Sequence, residues 1–103
     1  MNNKIKKICI CGSMKFKDKI IKYAHKKEAE GNIVFTPVLY LTEEEFAKGG
    51  IELYRSLHEA KIEMSDVIVI VNANDYIGTD TRREIEFALS LGKPITYLYP
   101  HKK

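Results

Sequence analysis

The chain has 103 residues, which is close to the size of one domain, so we expect residues 1–103 to form a single domain with one core. With 45% hydrophobic and 30% charged residues, 6 Gly and 3 Pro, its composition is globular and argues against disordered or fibrous classes. The net charge of +3 comes largely from lysines at the two ends and not from a basic face interleaved with aromatic residues. We therefore expect no nucleic-acid polymer as a partner.

The hydropathy pattern gives no sign of a membrane protein. The longest apolar run, residues 67–71, is too short to span a bilayer. The lysine-rich start is not followed by an apolar segment long enough for a signal peptide. We therefore expect a cytoplasmic protein without membrane contact.

The first third of the chain has the pattern of a βαβ unit. Residues 5–11 become increasingly apolar and stop at Gly12, which predicts a strand. Apolar residues then recur at helical spacing over 16–27, and Gly31-Asn32 ends that helix. Residues 33–35 predict a second, shorter strand. The two strands should be parallel, with a right-handed crossover.

Two helices are predicted in the middle of the chain. Thr42 and Glu45 have the spacing of a capping box, which predicts a brief helix over 43–48 that Gly49-Gly50 breaks. A longer helix starts near Ile51. Its predicted core stripe is Leu53, Leu57, Ala60 and Met64. An adjacent stripe that reaches toward the rim of the sheet is Tyr54, His58 and Lys61.

The last third supplies two more strands. Residues 67–71 are a continuous β-branched run, typical of a central strand that helices cover on both faces. A polar loop over 72–80 leads into a helix that Gly92 ends, and residues 95–98 predict the last strand. The apolar face of that helix is predicted to be Ile85, Ala88 and Leu89.

These elements predict a doubly wound, Rossmann-like α/β sandwich of three layers with a four-stranded parallel sheet in the order 2-1-3-4. The order reverses between the first and third strands, and ligands bind in the crevice at such a reversal. Residues 12–16 and 72–84 follow those two strands. We expect them to line the binding site.

The first of these loops has two interpretations. Gly12-Ser13 joins a buried strand to a helix, where free backbone amides attract an anion such as phosphate, with Ser13 and Lys15 adding a hydroxyl and a cation. The same dipeptide also occurs in plain strand-to-helix turns. The loop lacks the glycine pattern of a P-loop or of a dinucleotide site.

Glu84 also has two interpretations. Thr81 and Glu84 have capping-box spacing, so Glu84 is a candidate cap at the start of its helix. Glu84 also shares a stripe with Thr81, Ile85 and Ala88, which turns it inward at the top of the sheet. A partly desolvated carboxylate kept ionised by the helix N-terminus is suited to act as a nucleophile.

The cysteines and histidines predict no metal and no cofactor. Cys9 and Cys11 lie on one face of the first strand, where a disulfide would be strained and a metal would lack further ligands. We expect them to be small buried core residues. No pair of histidines has ligand spacing, and only His58 is placed near the predicted site.

Several segments, in order along most of the chain, carry a resemblance. They are Cys11-Gly-Ser-Met14, Leu57-His-Glu59 leading to residues 65–70, and Glu84-Ile-Glu-Phe-Ala88 with Gly92-Lys-Pro94. Together they resemble the nucleoside 2-deoxyribosyltransferase superfamily. Within it the chain is most similar to the 2'-deoxynucleoside 5'-monophosphate N-glycosidases.

The resemblance implies cleavage of the bond between sugar and base of a small nucleoside or nucleotide. The glutamate at Glu84 attacks the anomeric carbon, and water or, in the transferases, a second base resolves the glycosyl-enzyme. The resemblance and the two loops together predict a substrate-binding set of Gly12, Ser13, Met14, Lys15, His58, Gly78, Thr79 and Thr81. It also implies a homodimer, because the relatives complete their pockets across a subunit interface.

Two positions depart from the family pattern. The family tyrosine on the first strand is Cys9 here, and the family aspartate on the long helix aligns with Lys61. Glu59, Asp75 and Asp80 are candidates to replace the missing acid. The departures leave an alternative function open, a nucleotide-binding or sensing module that keeps the pocket without turnover.

Overall fold

Four parallel strands form the centre of the protein, in a computed structural model that describes residues 5–39 and 42–101. The strands are β1 (Lys7–Gly12), β2 (Ile33–Phe35), β3 (Val67–Val71) and β4 (Ile95–Tyr97). The helices are α1 (Lys17–Ala29), α2 (Glu43–Met64) and α3 (Thr79–Ser90). The sheet order is β2-β1-β3-β4, all parallel. The predicted fold class and strand order are therefore confirmed.

Strand β1 separates the two faces of the sheet because successive side chains of a strand point in opposite directions. Its Ile8 and Ile10 pack in the core under α1. Its Cys9 and Cys11 belong to a second core, which they share with Ile62 of α2 and with α3. The expectation that both cysteines are buried on one face is confirmed.

Helix α1 closes one face of the sheet with apolar side chains alone. Phe16, Ile20 and Ala24, spaced along one side, are all buried, and they pack on Ile10 and Val71. The helical spacing in the sequence predicted this stripe correctly. The helix ends before Gly31, whose φ of 98° is a left-handed conformation that suits glycine.

Helix α2 begins with the predicted capping box. Glu45 N donates to Thr42 Oγ1 at 3.1 Å, and Thr42 N donates to Glu45 Oε1 at 3.0 Å. Gly50, with φ 71° and ψ 165°, interrupts the helix where the sequence predicted a break. The kink divides α2 into a short first part and a longer second part.

The predicted core stripe of α2 is wrong. Leu53, Leu57 and Met64 are about half exposed, and Ala60 is exposed as well. The stripe that faces the sheet instead carries His58 and Ile62. The physical reason is that α2 shares this face of the sheet with α3, so each helix buries only a narrow stripe.

Helix α3 differs from the sequence prediction at its start and on its apolar face. It begins at Thr79, several residues before Glu84. Ala88 is fully buried and Ile85 partly buried, as predicted, but Leu89 is 61% exposed. The inner positions of α3 are Thr81 and Ala88, because Leu89 lies beyond the edge of the narrow contact with the sheet.

Within the described part of the chain, no helix is long and apolar enough to cross a membrane.

Candidate active site

A cavity of about 1020 Å³ opens at the carboxyl ends of β1 and β3, where the strand order reverses. Its walls come from the loop after β1, the segment after β2, helix α2 and the start of α3. The predicted site residues that line it are Gly12, Ser13, Met14, His58, Gly78, Thr79, Thr81 and Glu84. Lys15 is the one predicted residue that is not part of the lining.

The loop after β1 is held close to β3. A Cβ atom on Gly12 would lie 3.1 Å from Cβ of Val71 and 3.3 Å from its carbonyl oxygen, so a larger residue would push the strands apart. Ser13 caps a single 3-10 turn, because its Oγ accepts from the backbone N–H of Lys15 at 3.2 Å. This turn, and not α1 itself, follows the loop directly.

Lys15 lies beside the cavity with its charge directed to an aromatic ring. Its Nζ is 4.0 Å from the centre of the Tyr76 ring, which is a cation–π distance. Tyr76 itself lines the cavity. The lysine therefore stands next to the Gly12-Ser13 loop, with its ammonium group over a ring that lines the cavity.

Glu84 does not cap its helix, so the predicted capping box with Thr81 is wrong. The N-cap of α3 is Gly78, which has no side chain to accept a hydrogen bond, and Glu84 falls in the second turn. The Glu84 side chain is 19% exposed and lines the cavity. Its Oε1 is 3.8 Å from Nε2 of His58. The inward orientation predicted from the shared stripe is confirmed.

His58 is the centre of a buried polar cluster. Its Nε2 is 3.3 Å from Sγ of Cys11 and 3.8 Å from Sγ of Cys9, in addition to its approach to Glu84. Its other ring nitrogen, Nδ1, is buried and has no hydrogen-bond partner among the residues that the structure describes. Nε2 is therefore close to three polar groups, whereas Nδ1 has no polar partner among the described residues.

Burial and proximity shift the acid–base equilibria of this cluster. Burial raises the pKa of Glu84, and the charge of His58 opposes that rise. Burial alone would lower the pKa of His58, but the hydrogen bond with Cys9 and the charge of Glu84 outweigh it, so this pKa is raised.

The two thiols shift in opposite directions. The hydrogen bond with Cys11, helped by His58, lowers the pKa of Cys9 to about 5 against the effect of burial. The hydrogen bond with Cys9 and burial raise the pKa of Cys11 well above its ordinary value. The two sulfurs, the imidazole and the Glu84 carboxylate therefore influence one another's pKa under the floor of the cavity.

Two further charged groups of the cavity wall are already paired. Nζ of Lys61 donates to the carbonyl oxygen of Thr36 at 2.6 Å. Asp80 accepts from Arg55 at 2.9 Å and lies 3.7 Å from Arg83. Of the three candidate replacement acids, Asp80 lines the cavity, whereas Glu59 and Asp75 do not.

Sequence reasoning missed the connection between the cysteines and His58. It placed Cys9 and Cys11 on one face of a strand and His58 on a helix near the rim, but it assigned the core of that helix to the leucine stripe. A helix stripe through His58 and Ile62 would have set the histidine over the two cysteines. It also missed Arg55, which lines the cavity and pairs with Asp80.

No model of a known protein family matches the chain, and no curated protein sequence matches it either.

Proposed function

We propose that this protein is an N-glycosidase that cleaves the bond between sugar and base of a nucleoside or nucleotide, with Glu84 as nucleophile. The observation that carries the proposal is the position of Glu84. Its carboxylate is free of any capping role, largely buried, and directed into a cavity of about 1020 Å³ opposite the Gly12-Ser13 loop. A cavity of this size accommodates a nucleotide-sized ligand.

The proposed reaction has two steps. Glu84 forms a bond to the anomeric carbon as the bond to the base nitrogen breaks, and the bond electrons leave with the base. Water then attacks the same carbon, releases Glu84 and leaves the free sugar or sugar phosphate. A second base in place of water would give the transferase reaction instead. The charge of His58, 3.8 Å from Glu84, favours the ionised carboxylate that the first step needs.

The departing base must gain a proton, and the carboxyl groups of the described cavity wall besides Glu84 belong to Glu43 and Asp80. Glu43 is exposed in the first turn of α2, and Asp80 is held by contacts with Arg55 at 2.9 Å and Arg83 at 3.7 Å. We therefore expect solvent to supply the proton. This arrangement favours substrates whose base leaves readily.

The test is to incubate the protein, freed of divalent cations with a chelator, with each of the four deoxynucleoside monophosphates and to measure free base by chromatography. We expect base release by the wild type and a loss of about 10³-fold or more in Glu84→Gln. Glu86→Gln, on the exposed side of the same helix, is the matched control and should keep full activity. Absence of base release from all four substrates by folded protein, or full activity of Glu84→Gln, contradicts the proposal.

A role of the Gly12-Ser13 loop in phosphate binding predicts a difference between nucleotides and nucleosides. Lys15→Gln should raise KM for the monophosphate about tenfold, because it removes a charged contact, and leave KM for the nucleoside unchanged. Lys19→Gln, an exposed lysine of α1, is the control. Equal effects of Lys15→Gln on both substrates would assign the phosphate to another group.

The second candidate is a nucleotide-binding or sensing module without turnover. Lys61 favours it, because an ammonium group bonded to the carbonyl of Thr36 occupies the position where the sequence resemblance implies an acid. In this case nucleotides raise the melting temperature without releasing base. Thermal shift and base release measured on one sample separate the two functions.

We also propose that a second copy of the chain covers the exposed stripe of α2. The stripe consists of Leu53, Leu57, Ala60 and Met64. Large apolar side chains that recur along one helix face and stay exposed are typical of an interface. The same helix contributes Ile51 and Tyr54 to the cavity, so a partner on this stripe would lie next to the site.

A further inference from the structure

Four potential metal ligands converge under the floor of the cavity. Sγ of Cys9, Sγ of Cys11 and Nε2 of His58 all lie within 4.8 Å of one another, and all three residues are buried. The carboxylate of Glu84 approaches the same nitrogen at 3.8 Å. The sequence predicted no metal because the cysteines appeared to lack further ligands. In the folded chain His58 and Glu84 lie beside the cysteines, so further ligands are present.

The separations agree with those around a tetrahedral ion. With metal–sulfur bonds of about 2.3 Å and metal–nitrogen bonds of about 2.0 Å, a sulfur and a nitrogen ligand of a tetrahedral ion lie about 3.5 Å apart. The two observed distances from Nε2, 3.3 Å to Cys11 and 3.8 Å to Cys9, lie on either side of this value. Small side-chain rotations would therefore be enough to place one ion among the three atoms.

The imidazole of His58 cannot serve all of its polar neighbours by hydrogen bonds. A ring nitrogen carries at most one proton, so Nε2 of His58 can donate to only one of the two sulfurs and the carboxylate. A cation in the space between these atoms would satisfy all of them at once. Among the residues that the structure describes, Nδ1 of His58 has no hydrogen-bond partner, so the polar contacts of the ring are those of Nε2.

We propose that Cys9, Cys11 and His58 bind one thiophilic divalent cation of the zinc class, with the carboxylate of Glu84 in the fourth position. Two sulfurs and one imidazole nitrogen select zinc and its neighbours over magnesium and calcium, which prefer oxygen ligands. The ion has a path from solvent because His58 and Glu84 line the cavity. Each thiol releases its proton to solvent as its metal–sulfur bond forms.

The metal site is distinct from the proposed glycosidase activity, and an ion bound there would inhibit that activity. An ion that binds the Glu84 carboxylate takes the electron pair that attack on the anomeric carbon needs. The metal-bound protein should therefore release no base, and removal of the ion with a chelator should restore activity. The metal site itself can be tested without any substrate.

The test is a titration of the full chain with Co²⁺, after its two cysteines have been kept reduced with a phosphine and counted as free thiols. We expect one equivalent of Co²⁺ to produce the thiolate charge-transfer band and the strong visible bands of a tetrahedral site. Zn²⁺ should displace Co²⁺, and Mg²⁺ should not. Absence of these bands in folded, reduced protein overturns the proposal, whatever the outcome of the base-release assay.

Variants assign the ligands. Cys11→Ala and His58→Gln should each weaken Co²⁺ binding at least about a hundredfold, since loss of even an outer-shell partner costs ten- to a hundredfold. His25→Gln, an exposed histidine of α1, is the matched control and should bind as the wild type does. Unchanged binding by folded Cys11→Ala or His58→Gln overturns the assignment.

A second measurement uses only the wild-type chain and so does not depend on how the variants fold. Zn²⁺ should slow modification of both cysteines by a thiol reagent, and Mg²⁺ at the same concentration should not. Equal rates with the two ions overturn the proposal.

Discussion

The two faces of the sheet are built from the same strands but serve different purposes. Under α1 the core consists of aliphatic and aromatic side chains, with Ile20 fully buried in its middle. Under α2 and α3 the core begins in the same way at Ile62 and Ile68, but toward the cavity it ends in Cys11, His58 and Glu84. One face contributes stability, and the other combines stability with polar chemistry.

The two faces also differ in how far their apolar side chains are buried. The α1 face buries its largest apolar stripe, as the packing of a small domain requires. Helix α2 instead buries a histidine and leaves Leu53, Leu57 and Met64 half exposed. A helix that presents a polar side chain to the core and leucines to the outside is what the proposed site and the proposed partner surface together would require.

The largest loss of stability should follow a substitution in the middle of the core under α1. Ile20→Ala removes a fully buried side chain and leaves a cavity, so we expect the free energy of unfolding to fall by about 3 kcal/mol. Leu89→Ala on α3, where the side chain is 61% exposed, should change it by less than about 0.5 kcal/mol. Urea unfolding measures both. Equal losses would show that the two faces do not differ in this way.

An intermediate effect should appear in the assembly state. Leu57→Lys places a charge in the exposed stripe of α2, and we expect it to convert a dimer into a monomer without loss of helix content. Ser56→Lys, an exposed neighbour outside the stripe, should remain dimeric. Sedimentation analysis gives the mass of each. A monomeric wild type, or a dimeric Leu57→Lys, would leave the leucine stripe without its proposed partner.

The smallest effect is expected at the amino-terminal edge of the strands, away from the cavity. Asp66 accepts from the backbone N–H of Lys7 at 2.8 Å, and this hydrogen bond, helped by the charge of Lys7, lowers the pKa of Asp66. Its contribution to stability is therefore present above the ordinary carboxyl pKa and is lost as pH falls through the lowered value.

Thermal unfolding over the acid range checks this contribution. Asp66→Asn should make stability fall less steeply as pH decreases, because the folded protein no longer has a carboxylate to protonate at this position. Asp18→Asn, an exposed carboxylate of α1, controls for the loss of one charge. An unchanged pH profile in Asp66→Asn would show that the contact with Lys7 contributes nothing measurable.

Local signals in the sequence were enough to predict most of the architecture. The β-branched run at Val67–Val71, the capping box of Thr42 and Glu45, and the break at Gly50 each depend on residues close together in the chain. The strand order 2-1-3-4 then follows from the handedness of parallel crossovers. The crevice at the reversal, and the part of its lining that follows β1 and β3, follow from that order.

Most elements and their order could be predicted from the sequence, because periodicity and turn signals are local, whereas the inward orientation of Glu84 was one of two interpretations until the structure excluded the cap. The buried stripe of α2 could be identified only from the tertiary structure. Two adjacent stripes of this helix are both candidates for the core, and packing against the sheet and α3 buries one of them. Burial of the stripe that carries His58 also places this residue in contact with Cys9 and Cys11. Residues 47 or more positions apart in the chain thereby became the polar centre of the site.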